Sequence, residues 1–144
     1  MGAPDPREPQ AEQLASRLYR GMTDAHGIAT VEHAAAVASN CPLEARVVAW
    51  VHDLPEDGLA SLAELARKLS LTATERTALE LLTHRESLPY TDYIEQIARS
   101  RGTAGELART VKRADLEANL ARPKQAERPD LRARYVKALA RLGD

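Results

Sequence analysis

Apolar side chains recur along most of this chain at three- and four-residue spacing, the period of helices with one buried face. Leu14, Leu18 and Met22 form such a stripe, which predicts a first helix over residues 10–25, stopped by Gly27. The prolines before it (Pro4, Pro6, Pro9) predict a flexible lead-in over residues 1–9. A second helix is expected over residues 30–39, ending at Asn40-Cys41-Pro42. A third is expected from Pro42-Leu43 through Val47, Val48 and Val51 to His52-Asp53, with Pro55 and Gly58 marking the turn that follows. Residues 61–69 read as a short helix, and Thr72 starts another with Glu75 placed for a capping box. Residues 83–88 form a polar break before Pro89 opens a helix carrying Tyr93, Ile94 and Ile97. Gly102 and Gly105 flank the entry to a long helix through Val111, Leu116 and Leu120. Residues 123–129 read as a linker to a last helix with Leu131, Tyr135, Leu139 and Leu142. No segment alternates apolar and polar residues between hairpin turns. The expectation is a single all-α domain over residues 1–144.

Composition narrows the class. With 144 residues there is room for one core, and 44% hydrophobic with 28% charged residues describes a folded chain. Phenylalanine is absent and aromatics are 3%, so Leu, Val and Ile must fill the core, with alanine allowing close helix approach. No apolar run approaches the roughly 18 residues of a membrane helix, and the N-terminus lacks a signal-peptide layout. A cytoplasmic location without membrane partners is expected. The lone Cys41 excludes an intramolecular disulfide framework and a cysteine-rich zinc site. A net charge of -1 argues against coating nucleic acid. The balance is uneven: from Arg99 onward twelve Lys and Arg face six Asp and Glu, and the remainder holds eight against fifteen. Nucleic acid is not an expected partner of that basic third, where Tyr135 is the only aromatic for bases to stack on.

The residues that bear on chemistry are His33, the run His52-Asp53-Leu54-Pro55-Glu56-Asp57, and Asp115 with Asn119. Two imidazoles and two carboxylates suit a divalent ion in mixed nitrogen and oxygen coordination. Asp115 and Asn119, four apart, share a helix face, and Lys112 lies on that side too. Each residue also has an ordinary structural reading. His33 can be a packed histidine, Glu56 and Asp57 an acidic pair at a helix start, and Asp115 the partner of a Lys112 salt bridge. Tyr135 reads as core with its hydroxyl at an edge, and Trp50 as core beneath the third helix. His26 and His84 fall outside the pattern and read as surface residues.

The ordered set His … His-Asp-x-x-Glu-Asp … Asp-x-x-x-Asn resembles the HD-domain metal-dependent phosphohydrolases. More narrowly, it is similar to the hydrolase domain of the RelA/SpoT family and its small stand-alone hydrolases, which act on the alarmone (p)ppGpp. The likeness runs over residues 27–135 and includes Leu82-Thr83-His84-Arg85-Glu86, the helix from Tyr90 to Ile97, and the run from Val111 to Leu120. The resemblance implies that His33, His52, Asp53 and Asp115 ligate a divalent metal, in this group usually Mn²⁺. It implies Glu56 and Asp57 as the acid/base pair acting on the attacking water, and Asn119, Lys112 and Tyr135 along a small nucleotide substrate. The expected reaction is removal of the 3′-pyrophosphate of (p)ppGpp. The alternatives are hydrolysis of another small phosphomonoester, such as a nucleoside monophosphate or NADPH, and a non-catalytic nucleotide-sensing module on the same fold. Alarmone hydrolases carry a Tyr-x-x-His-Pro element at the first metal histidine, where this chain has Thr30-Val31-Glu32-His33-Ala34.

Overall fold

The computed structural model describes residues 3–24, 26–122 and 128–143. They form eight α-helices: α1 (Glu8–Leu18), α2 (Thr30–Ser39), α3 (Arg46–Val51), α4 (Leu62–Lys68), α5 (Ala73–Leu82), α6 (Tyr90–Arg99), α7 (Gly102–Leu120) and α8 (Pro129–Leu142). A single 3₁₀ turn, Leu43–Ala45, leads into α3. An isolated bridge pairs Thr23 with Ala29, and the described residues contain no strand. The all-α class is as the pattern predicts. Most of the expected linker, residues 123–127, lies outside the described residues, as does Ala25.

Local chemistry sets several boundaries. The expected capping box at Thr72 is present: Thr72 Oγ1 accepts from the Glu75 N–H at 3.1 Å, and Glu75 Oε1 accepts from the Thr72 N–H at 2.8 Å. Ser61 and Glu64 repeat the device at the start of α4. At the entry to α7, Gly102 adopts φ 76°, and a Cβ at Gly105 would collide with the Ser100 carbonyl. Glycine there lets α6 turn tightly into α7.

The first helix is shorter at one end and longer at the other than the apolar stripe implies. It ends at Leu18, and Met22, expected in the stripe, is 40% exposed. Gly21 turns the chain at φ 79°, and Asp24 Oδ1 then accepts from the N–H groups of His26 and Ile28. This local side-chain bonding offers the backbone an alternative to the helix ladder. The start moves to Glu8, just after Arg7, whose guanidinium reaches both Glu75 oxygens at 2.8 Å. Helix α3 ends at Val51 rather than continuing through Asp53, so His52 caps it.

Helix α7 lies at the centre, packed against α2, α5, α6 and α8, while α1 covers α3. Val37, Val48, Leu54, Leu79, Ile97 and Leu116 are fully enclosed. Burying a side chain of this kind contributes about 1.5–3 kcal/mol. Trp50 is core, as expected, and donates its indole N–H to Glu8 Oε2 at 3.2 Å. The packing brings the α7 face bearing Asp115 against α2 and the end of α3.

Candidate metal centre

His33 enters one turn into α2, His52 and Asp53 at the end of α3, and Asp115 from the middle of α7. One ligand atom from each of the four lies within 4.8 Å of the others. His33 Nε2 is 2.7 Å and His52 Nε2 3.3 Å from the same oxygen, Asp115 Oδ1. His52 Nε2 is also 3.2 Å from Asp53 Oδ2. Lys112 Nζ donates to the other Asp115 oxygen at 2.9 Å, and Asn119 Nδ2 approaches Oδ1 at 3.4 Å. The Lys112 salt bridge and the four-donor cluster therefore coexist on one carboxylate.

The hydrogen bonds specify what the cluster demands. Ala49 O can only accept, so His52 Nδ1, 2.8 Å away, carries a hydrogen and donates it. Nε2 is left facing two carboxylate oxygens that offer only lone pairs, and positive charge must lie between them. Burial pushes the His52 pKa down, but Asp53 and Asp115 outweigh it and hold it well above the ordinary value. Burial likewise opposes the charge on Asp115, and Lys112 with the two imidazoles holds its pKa well below the ordinary value. A cation at the cluster meets the same demand as a proton on His52. The backbone bond to Nδ1 is the partner that metal-ligating histidines commonly have. His33 Nδ1 is buried without a hydrogen-bond partner, so Nε2 is the nitrogen through which this ring acts. The residues fit a divalent ion.

Glu56 and Asp57 sit at the rim, each held by one bond. Glu56 Oε1 accepts from the His84 N–H at 3.0 Å, and Asp57 Oδ2 accepts from the Tyr19 hydroxyl at 2.8 Å. Partial desolvation raises both carboxyls above their ordinary values, with the Asp53 charge adding to it. A carboxylate raised toward neutrality exchanges protons more readily.

A cavity of about 260 Å³ opens beside the cluster, with Lys112, Asn119 and Tyr135 in its wall. The three residues expected along a nucleotide are thus together. So are residues to which the sequence assigns no site role: Tyr90, Arg122 and Arg134 line the same cavity. His84, expected at the surface, is half-buried there instead, because its ring stacks on Tyr93 at 4.5 Å and Nε2 approaches the Leu88 carbonyl at 2.7 Å. A second cavity, of about 190 Å³, adjoins the ligands on the side of Tyr19 and Trp50. Neither Tyr19 nor Tyr90 had a local signal, since an aromatic in a helical stripe reads as core.

Fold and site define an all-helical protein with a buried His/Asp group that could hold a metal ion. Among the described residues no helix is long and apolar enough to cross a membrane. No protein-family model matches the chain, and no curated protein matches it in sequence.

Proposed function

We propose that the chain is a metal-dependent phosphohydrolase of the HD type acting on a nucleotide, with the 3′-pyrophosphate of (p)ppGpp as the leading substrate. The observation that carries this reading is the convergence of His33, His52, Asp53 and Asp115 within 4.8 Å beside a cavity walled by Lys112. The four residues would hold the ion, which we take to be Mn²⁺. When bound, a divalent ion supplies Lewis acidity, making water easier to deprotonate and offsetting charge on phosphorus.

The chain's own groups supply the rest. Glu56 and Asp57, at the rim, accept the proton of the attacking water and return one to the leaving oxygen, work of about 10²–10⁴ in rate. Tyr19 and the His84 backbone fix where those carboxylates point. Lys112, buried and paired with Asp115 in the cavity wall, would face the phosphate from α7. Asn119 and Tyr135 lie along the ligand.

A second reading, hydrolysis of another phosphomonoester such as a nucleoside monophosphate or NADPH, is favoured by one feature. Thr30 and Ala34 stand where the alarmone hydrolases carry tyrosine and proline. A product assay separates the two. Purified protein with Mn²⁺ and ppGpp should release pyrophosphate and GDP, and Asp57→Ala should abolish the release. Inorganic phosphate from another nucleotide would keep the chemistry and discard the alarmone. The ligand assignment has its own check. Asp53→Ala should lose at least about 10-fold in Mn²⁺ affinity and nearly all turnover, while keeping its helical circular dichroism. Unchanged metal content in that variant would refute it.

A further inference from the structure

A cavity of about 170 Å³ between α6 and α8 shares Tyr90 and Arg134 with the cavity beside the metal ligands. Ile94 and Ala138 give it an apolar floor, and Lys137 stands on its rim. Arg141 donates to both oxygens of Glu95, at 2.7 and 2.6 Å, and this pair closes the groove about two helical turns from Arg134. A polar cleft and an apolar groove therefore meet at one residue pair.

The Arg134 guanidinium lies 3.6 Å over the Tyr90 ring. Neither Arg134 nor Lys137 has a carboxylate partner among the described residues, whereas Lys112 is engaged by Asp115 and Arg122 by Asp24. Arg134 is exposed. A guanidinium that lies over a ring on one side leaves its other side to a ligand, and guanidinium groups stack on planar rings. Guanidinium planes and aromatic rings are the surfaces on which nucleobases stack.

We propose that the α6–α8 groove receives the base of the nucleotide whose phosphate is bound at the His33–His52–Asp53–Asp115 cluster, the base extending the Tyr90–Arg134 stack. The inference rests on the nucleotide reading above and assigns the end of the substrate that reading leaves without a place. The occupant follows from continuity and polarity. A molecule charged at one end, with an uncharged planar ring whose faces can stack at the other, matches a cleft with cations that runs into a groove with an apolar floor and room for one base.

The test is calorimetric titration of the Mn²⁺-loaded chain with ribose 5-phosphate and guanosine 5′-monophosphate, which share the phosphate and differ in the base. The parent should bind the nucleotide at least tenfold more tightly. Arg134→Ala and Tyr90→Leu should bring the two affinities within about threefold, with the nucleotide losing far more than ribose 5-phosphate; Tyr90→Phe, which keeps the ring, should keep the preference. Arg134 is exposed, so its removal leaves the fold intact. Equal affinity of the parent for both probes overturns the groove assignment, as does an undiminished preference in Arg134→Ala. Binding of neither probe means that the nucleotide reading has failed and the groove assignment with it.

Discussion

Four side chains reach the Asp115 carboxylate: His33, His52 and Asn119 at Oδ1, and Lys112 at Oδ2. At this scale the cluster was legible, because residue types and their order carry the pattern. His52 and Asp53 are neighbours in the chain, and Lys112, Asp115 and Asn119 share a helix face. Tyr19 was not legible. It is 4% exposed and packs as an ordinary core aromatic, and only its hydroxyl reaches Asp57. If that bond aims the Asp57 carboxylate, Tyr19→Phe should slow turnover about tenfold, the worth of one such bond. Mn²⁺ affinity should be unchanged, and steady-state kinetics beside a metal titration measures both. Arg122 and Arg134 escaped notice for a different reason: charges in a basic third look alike until the fold sorts paired from unpaired.

At the scale of the elements, boundaries written in capping chemistry could be read, and those written in loop geometry could not. Thr72 and Glu75 announce the start of α5. The end of α1 depends on Gly21 and on bonds to Asp24, while the apolar period runs on to Met22 and misleads. Glu75 also joins α5 to the chain before α1. Burial pushes its pKa up, and the bonds from Arg7 and the Thr72 backbone outweigh that and leave it below the ordinary value of 4.5. A carboxyl whose pKa is depressed on folding contributes stability that is fully present above its unfolded value and is lost as pH falls through the folded one. Glu75→Gln should therefore cost about 2 kcal/mol at neutral pH. It should also flatten the fall in stability below pH 4.5, as followed by urea unfolding across a pH series.

For the whole molecule, α7 connects core and site: one face packs on α2, α5, α6 and α8, and the same helix supplies Lys112, Asp115 and Asn119. Ion binding would then act on the entire fold, since the four candidate ligands come from two helices, α2 and α7, and the turn after α3. If the ion is Mn²⁺, free metal at about a hundred times its Kd would add about 2.7 kcal/mol to the native state. For a domain of this length, that raises the melting temperature by roughly 5–10 °C. Calorimetric scans with Mn²⁺ and then with chelator should show the rise and its reversal; a melting temperature indifferent to the ion would argue against binding by the folded chain. The all-α class was open to reading because helical periodicity is a property of every segment. The meeting of the α6–α8 groove with the cleft was not, because it depends on how two helices far apart in sequence lie together.

Trp50 is the only tryptophan in the chain. Its indole N–H is bonded to Glu8 on α1, and its ring lines the cavity that also holds His33, His52 and Asp53. Excited at the red edge, where the four tyrosines do not absorb, this protein emits from one address, beside the His/Asp group and under the first helix. A paramagnetic ion seated at the ligands dims that light, and lifting α1 away exposes the indole and moves its colour toward the red. Loading of the site and loosening of the N-terminal helix become two separable optical signals from a chain that carries no added dye.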